Sequence, residues 1–256
     1  MRYFDQELRF SASDIADYLD CPRILDLNHE RVRGEREPGA EDAYIRLIQE
    51  KGIRHERRYL EALRSPPGRL GVIEIDTHQT WEAQLAATRA ALASGADIVY
   101  QAALSHGRFF GYADFLRRVE RPSRLGAFSY EVVDTKLAHR AKARYLIQLT
   151  CYSVMLVGLQ GSLPRYMHVV TGDSEQSEHA YALSDYLHYY RHLESRFLSF
   201  MNGQARAEAA PRPRPEPIAW SAPGGRCANR SGSRGIISAG WPTSRSSRFA
   251  SWQRRG

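Results

Sequence analysis

Short runs of β-branched and aromatic residues, separated by polar turn segments, follow one another in the middle of the chain. Three such runs cover residues 96–104, 109–119 and 127–137. Runs of this composition and length predict β-strands, and the SHGR segment between the first two predicts a hairpin. We therefore expect three consecutive strands, with further strands at residues 70–76 and 165–172.

Apolar residues at helical spacing lie between and around these strands. In SASDIADYLDCPRILDL, Ser11 is the expected N-cap with Asp14 three residues later, and Pro22 interrupts the helix. Gly52 marks a possible bend in the next helix, and the SPPG segment ends it. Helical spacing then predicts helices over residues 41–63, 81–95, 142–159 and 184–202.

The predicted order is helix, strand, helix, three strands, helix, strand, helix. A doubly wound parallel sheet would alternate strictly, so this order favours an α/β fold with a mixed sheet flanked by helices. Residues 1–204 are expected to form that domain. From residue 205 to 256, Pro, Arg, Ser and Gly dominate without periodicity, which predicts a disordered tail.

The net charge of +7 comes from that tail. Residues 211–256 hold nine Arg and one Glu, whereas residues 1–210 hold 27 basic and 28 acidic residues. The overall basicity is therefore no argument that the folded domain binds nucleic acid. No apolar run reaches the roughly 18 residues of a transmembrane helix, and the N-terminus lacks the apolar core of a signal peptide. We expect a cytoplasmic protein without a membrane partner.

Two carboxylates and one lysine lie on neighbouring predicted strands. In YEVVDTK, alternation places Asp134 and Lys136 on one face and Glu131 on the other, while in GYADFL it places Asp114 on the face of Tyr112. Only three of the 36 basic residues are Lys, so a lysine at this position is informative. If the strands pair, two carboxylates and an ammonium converge, which suits a divalent metal beside a phosphate. Taken alone, Asp-x-Lys is a weak signal that favours solvated strand residues.

The context of this pair resembles a known family. The ordered segments FSASDIADYLDCPR, KGIRHERRYLEAL, DIVYQAAL, GYADFL, YEVVDTKLA and QLTCY resemble the RecB-like nuclease family of the PD-(D/E)XK superfamily, related to CRISPR-associated RecB-type exonucleases. The resemblance covers roughly residues 10–202. It implies a restriction-endonuclease-like fold, a Mg²⁺ or Mn²⁺ cofactor and phosphodiester hydrolysis.

The resemblance also implies roles for individual residues. Asp114 and Asp134 match the two metal-binding carboxylates, and Lys136 matches the catalytic lysine. His55 resembles the helical histidine that joins the metal shell in this family, and the Thr135 carbonyl would complete the coordination. A metal of this kind polarises the phosphate and lowers the pKa of an attacking water.

Gln148 and Tyr152 match the family's Q-x-x-x-Y helix, which lies beside the active site and would contact DNA. Their spacing alone is equally compatible with packing between the helix and its neighbours. For His55, the spacing alone favours a histidine on the surface of a helix.

The cysteines depart from the family pattern. Many relatives bind an iron–sulfur cluster through one N-terminal cysteine, matched here by Cys21, and three near the C-terminal end of the domain. This chain offers only Cys227 in the tail, and Cys151 is expected in the core. A four-cysteine cluster is therefore not expected here. One hypothesis is that the tail is an out-of-frame remnant, which the nucleotide sequence would test.

Three hypotheses follow. The first is a metal-dependent DNA nuclease that acts on single-stranded DNA or duplex ends, as in DNA repair, with a helicase as a further partner. The second is a non-catalytic nucleic-acid-binding remnant that has lost the cluster and the C-terminal part of the fold. The third is an unrelated α/β protein with a basic tail. The sequence leaves open endonuclease or exonuclease action, polarity, and DNA or RNA as substrate.

Overall fold

A computed structural model describes residues 1–37, 42–65, 70–173 and 176–208. The Pro-Pro-Gly part of the predicted turn, the tail beyond Glu208 and Cys227 lie outside these residues. The helices are α1 Ala12–Asp20, α2 Pro22–Val32, α3 Ala43–Arg64, α4 Trp81–Ala93, α5 Ala143–Gln160 and α6 Ser184–Glu208. The strands are β1 Arg2–Phe4, β2 Glu7–Arg9, β3 Val72–Glu74, β4 Ile98–His106, β5 Phe109–Val119, β6 Ser129–Lys136, β7 Tyr166–Thr171 and β8 Glu178–Ala182.

Six of the described strands form one mixed sheet in the order β3-β4-β5-β6-β7-β8. The β3–β4 and β6–β7 pairs are parallel, and the other three pairs are antiparallel. Helices cover both faces, since residues of α5 pack in one apolar cluster against the sheet and residues of α3 in the other. The prediction of an α/β fold with a mixed sheet flanked by helices is confirmed.

The helix signals in the sequence act as predicted. The backbone N–H of Ser11 donates to the Asp14 carboxylate at 2.7 Å, which satisfies one of the unpaired donors at the start of α1. Pro22 separates α1 from α2, where it takes the first helical position that lacks a hydrogen-bond requirement. α3 runs without interruption through Gly52, so the helix continues past the expected bend.

Three strands were not predicted. β1 and β2 form a two-stranded hairpin whose turn residues, Asp5 and Gln6, both have positive φ, at 46° and 67°. β8 is an edge strand whose first three residues are exposed, so it lacks the apolar alternation that marks a strand in the sequence. α6 continues to Glu208, four residues past the domain boundary predicted at residue 204.

The sheet separates two apolar clusters. The larger cluster contains Val132 and residues of α1, α5 and α6, and the smaller one contains Val133 and residues of α3. We call the corresponding faces of the sheet the α5 side and the α3 side. Among the described residues, no helix combines the length and apolarity needed to cross a bilayer.

Candidate functional site

The pairing of β5 with β6 brings the two predicted carboxylates together. Phe115 pairs with Val133 in this antiparallel ladder, so one step further along places Asp114 opposite Asp134. In the same way, Tyr100 and Ala102 of β4 pair with the β5 residues on either side of Asp114, which leaves Gln101 opposite Asp114. Neither the Gln101–Asp114 nor the Asp114–Asp134 position forms a regular ladder pair in the described sheet.

Strands β4 and β5 change face at this row. Ala113 packs on the α5 side and Phe115 on the α3 side, although residues two apart in a regular strand share a face. Gln101 has a φ of 60°, a left-handed backbone conformation that is uncommon for a non-glycine residue inside a strand. Local strain and bulges of this kind concentrate at functional sites. The row Gln101, Asp114, Asp134 is therefore a break in the middle of the sheet.

Asp134 and Lys136 form a buried ion pair beside this break. The Asp134 side chain lies on the α5 side, since Val132 two residues earlier packs there, and the residue is only 6% exposed. Lys136 Nζ lies 2.5 Å from Asp134 Oδ2 and 5.5 Å from the centre of the Tyr145 ring on α5. The aromatic face stabilises the ammonium and holds it over the carboxylates.

The single positive charge of Lys136 does not balance the two carboxylates of Asp114 and Asp134. The pKa of Asp134 is raised to about 7, because burial together with the neighbouring Asp114 carboxylate outweighs the attraction of Lys136. Burial tends to lower the pKa of Lys136, but the attraction of Asp134 and Asp114 outweighs it and the pKa is raised. The lysine is therefore a permanent cation, while the Asp134 carboxylate still lacks positive charge to stabilise it.

The two carboxylates suit a magnesium-type ion. Asp134 Oδ2 is buried, and its close partner is the Lys136 ammonium at 2.5 Å. In the part of the chain that the structure describes, no group of three or more His, Cys, Asp or Glu side chains is placed to hold a metal. Mg²⁺ commonly takes only one or two carboxylates and completes its shell with water and substrate phosphate. Asp114 and Asp134 fit that pattern. Thr135, whose carbonyl is a predicted ligand, pairs in register with Val170 of β7.

His55 lies apart from the carboxylates. It is on α3, with its Nε2 3.4 Å from the Val170 carbonyl oxygen and its Nδ1 3.3 Å from the Gln176 amide nitrogen. Burial lowers the pKa of this imidazole. Val170 belongs to the α3-side cluster, whereas Asp134 lies on the α5 side. The structure therefore does not bring His55 to the predicted metal shell, and its role as a ligand stays a prediction.

Gln148 and Tyr152 are both buried on α5, at 8% and 9% exposure. The Tyr152 ring lies against Gly111 of β5, where an added Cβ would come within 3.0 Å of Tyr152 Cε1. The glycine of GYADFL thus permits the close approach of the tyrosine of QLTCY. The structure shows packing for Tyr152, and a DNA contact by either residue stays a prediction.

A polar pair on the α3 side was not predicted. Gln101 Nε2 donates a hydrogen bond to Glu56 Oε1, and Glu56 is buried. Gln101 is also the residue opposite Asp114, so the pair adjoins the carboxylates. The sequence carried two signals: Gln101 interrupts an otherwise apolar strand, and Glu56 directly follows His55. A buried polar residue inside an apolar strand needs a partner, but sequence alone does not show which one.

Glu131 lies on the face opposite Asp134, as parity predicts. Its Oε2 is 2.8 Å from His168 Nε2, and its Oε1 accepts the Tyr166 backbone N–H at 2.9 Å. Glu178 of β8 lies 2.9 Å from His168 Nδ1 and 2.7 Å from Arg117 Nη2. We call Arg117, Glu131, His168 and Glu178 the α3-side ion network. Its contacts join β5, β6, β7 and β8 to one another.

Two cysteines are described, and both are free thiols. Cys151 is fully buried in the larger core cluster, as predicted, and burial raises its pKa to about 12. Cys21 is partly exposed at the N-terminus of α2. The described residues therefore offer one accessible thiol, and the prediction about an iron–sulfur cluster depends on Cys227, which lies outside them.

Comparison of the chain with protein-family models gives no match, and a search of curated proteins finds no similar sequence. A functional assignment therefore depends on the chemistry of the side chains around Asp134.

Proposed function

We propose that this protein is a metal-dependent nuclease that hydrolyses phosphodiester bonds in DNA, with a restriction-endonuclease-like PD-(D/E)XK core. One observation carries the proposal. Asp114 and Asp134 lie opposite each other at a break in the sheet, and Lys136 Nζ lies 2.5 Å from Asp134 Oδ2. Like charges in a buried site, with a cation beside them, are arranged for function and not for stability.

The proposed cofactor is Mg²⁺ or Mn²⁺, held by Asp114 and Asp134. When bound, such an ion polarises a phosphoryl oxygen and provides a strong nucleophile from water at neutral pH. Lys136 would stabilise the negative charge that develops on the phosphate, because its raised pKa keeps it protonated. The Tyr145 ring would keep the Lys136 ammonium in place.

The proposal is tested by cleavage of end-labelled single-stranded and duplex DNA with Mg²⁺ or Mn²⁺. Asp134→Asn and Lys136→Ala should each lower the rate by about 100-fold or more, the scale of losing one preorganised charged group. Lys142→Ala is the matched control, because Lys142 is exposed at the start of α5 and one of only three lysines in the chain. Equal cleavage rates in all three variants would rule out Asp134 and Lys136 as the catalytic site.

A second candidate is a non-catalytic nucleic-acid-binding protein with the same fold. The observation in its favour is that the described residues contain no group of three or more ligating side chains placed for a metal. DNA binding with no cleavage under any divalent ion, and no change on Asp134→Asn, would select this candidate over the nuclease.

A further inference from the structure

Gln101 has a left-handed backbone conformation in the middle of β4. Its φ is 60°, although Tyr100 and Ala102 on either side of it pair in register with β5. This conformation is unfavourable for a residue with a Cβ, and it persists only where the surrounding structure holds it in place. A contact outside the β4–β5 ladder must therefore hold Gln101.

Glu56 of α3 provides that contact. Its Oε1 accepts a hydrogen bond from Gln101 Nε2, and Glu56 is only 4% exposed. Because a buried polar group that loses its partner destabilises the fold, the Gln101 side chain cannot turn away from Glu56 without cost. α3 is itself packed against the sheet through Tyr59 and Leu60, which fixes the position of Glu56.

The conformation of Gln101 and the orientation of Asp114 are linked through the sheet. Tyr100 packs on the α3 side and Ala102 on the α5 side, so β4 changes face at Gln101. β5 makes the same change at Asp114, the residue opposite. Residues directly opposite each other in an antiparallel pair share a face, so neither strand can change face alone. The break in β4 and the break in β5 are therefore one feature.

This feature determines the face on which Asp114 lies. Ala113 packs on the α5 side, so regular alternation from Ala113 would place the Asp114 side chain on the α3 side. Instead, the side chains of Asp114 and Asp134 share a hydrogen bond, and Asp134 lies on the α5 side. Without the break, the two carboxyls would point to opposite faces of the sheet, and no single ion could bind both.

We propose that Glu56 is a positioning residue for the metal-binding pair. Through its hydrogen bond to Gln101, Glu56 holds the break that turns Asp114 toward Asp134. In this role Glu56 acts through the backbone of β4 and is not itself a metal ligand. The proposal rests on the proposed nuclease function, in which Asp114 and Asp134 hold Mg²⁺ or Mn²⁺.

The first test changes Glu56. Glu56→Ala removes the acceptor of the Gln101 hydrogen bond, whereas Glu56→Gln keeps a carbonyl oxygen in its place. The Mn²⁺ affinity of the full chain, measured by isothermal titration calorimetry, should fall about 10-fold or more in Glu56→Ala, the scale of losing a group that orients a metal ligand. In Glu56→Gln it should stay within about threefold of the wild type. Glu61→Ala is the control and should bind Mn²⁺ like the wild type, because Glu61 is exposed on the same helix.

The second test changes Gln101 and leaves Glu56 intact. Gln101→Gly and Gln101→Ala both lose the hydrogen bond to Glu56, but only glycine adopts a positive φ without strain. Gln101→Gly should therefore keep its Mn²⁺ affinity within about threefold of the wild type, and Gln101→Ala should lose about 10-fold or more. Equal affinities in these two variants would overturn the proposal, as would wild-type affinity in Glu56→Ala.

The double variant separates positioning from a general effect on the fold. Adding Gln101→Gly to Glu56→Ala should restore most of the Mn²⁺ affinity, because glycine holds the left-handed conformation without Glu56. Melting temperatures verify that each variant is folded. A loss of affinity that glycine does not restore would assign Glu56 to the stability of α3 and overturn its positioning role.

A third measurement needs neither metal nor DNA. The Cα and Cβ chemical shifts of residue 101 report its φ, and in Glu56→Ala they should leave the left-handed range. If they do so while the wild type neither binds Mn²⁺ nor cleaves DNA, Glu56 still positions Asp114 and the nuclease proposal fails. If the wild type cleaves DNA, Lys136→Ala does not, and Glu56→Ala cleaves and binds Mn²⁺ normally, the positioning inference fails alone. Unchanged shifts at residue 101 in Glu56→Ala would also overturn it.

Discussion

Two charged pairs lie three positions apart on the same two strands. Arg117 of β5 pairs in register with Glu131 of β6, and three residues along, Asp114 faces Asp134. In the first pair opposite charges meet, and in the second like charges meet. The first pair belongs to a hydrogen-bonded network on the α3 side, and the second lies at a break in the ladder.

The pKa values of the carboxyls record this difference. In the α3-side ion network, hydrogen bonds from His168 and from the Tyr166 backbone outweigh burial and lower the pKa of Glu131. At the break, burial and the neighbouring Asp114 outweigh Lys136 and raise the pKa of Asp134. A satisfied network contributes to the stability and order of the sheet, whereas an unsatisfied one stores energy that a ligand can release. The same strands therefore hold a satisfied ion network and a pair of carboxylates whose charges are not balanced.

The largest expected effect is on activity. Asp134→Asn should lower the cleavage rate by about 100-fold or more, because it removes a carboxylate from the proposed metal-binding pair. Glu131→Gln, the matched change on the other face of β6, should stay within about threefold of the wild type, since it affects only the α3-side network. Initial rates on a labelled single strand measure both. A strong loss of cleavage activity in Glu131→Gln would mean that the Arg117–Glu131 pair is as important for activity as the Asp114–Asp134 pair.

The same two variants should have the opposite order in stability. Glu131→Gln leaves the His168 ring and the Tyr166 N–H with a weaker hydrogen-bond partner, so we expect the free energy of unfolding to fall by about 2–3 kcal/mol. Asp134→Asn removes a buried charge that lies beside a like charge, so the free energy of unfolding should be unchanged or higher. Urea denaturation without divalent ions tests this. A less stable Asp134→Asn would mean that the Lys136 ion pair contributes more than the repulsion costs.

The two groups also respond differently to pH. The pKa of Asp134 is raised from 3.8 to about 7, so its favourable contribution is complete below pH 3.8 and is lost as the pH rises through 7. In the α3-side ion network, the contribution of Glu178 to stability depends on pH in the opposite direction. The pKa of Glu178 is lowered from 4.5 to about 2. Its contribution is therefore present above pH 4.5 and is lost as the pH falls to 2.

His168 adds to the loss at higher pH, because burial is outweighed by hydrogen bonds to Glu131 and Glu178 and its pKa is raised above 6.5. Its contribution is present below pH 6.5 and disappears as the pH rises through the raised value. Melting temperatures without metal should therefore be highest near pH 4.5, where the Glu178 contribution is complete, and should fall from there toward pH 8 as the Asp134 and then the His168 contributions are lost. The fall should be smaller in Asp134→Asn than in the wild type. An equal fall would assign the whole effect to His168.

Much of this arrangement could be predicted from the sequence, and the missing part has a physical reason. Alternation in YEVVDTK correctly placed Asp134 and Glu131 on opposite faces of the strand, because the side-chain period of a strand is a local property. The Gln101–Glu56 pair and the position of His55 depend on where α3 crosses the sheet. Tertiary packing sets that crossing, and the residue spacing within α3 does not encode it. The left-handed φ at Gln101 likewise has no signature in composition.

The smallest expected effect concerns the packing that supports the reactive strand. Gly111 lies three residues before Asp114, and a Cβ there would come within 3.0 Å of the Tyr152 ring, so Gly111→Ala should displace the ring or the strand. We expect a loss of about 1 kcal/mol in the free energy of unfolding, at the low end for overpacking, and a severalfold loss of activity. Gly52→Ala is the control, since a Cβ at Gly52 in α3 meets nothing within 4 Å and should stabilise the helix by about 0.5–1 kcal/mol. If Gly111→Ala lost stability but kept full activity, the break at Asp114 would hold its geometry independently of Tyr152. The reactive pair would then be positioned by the strands alone, as the Arg117–Glu131 pair is.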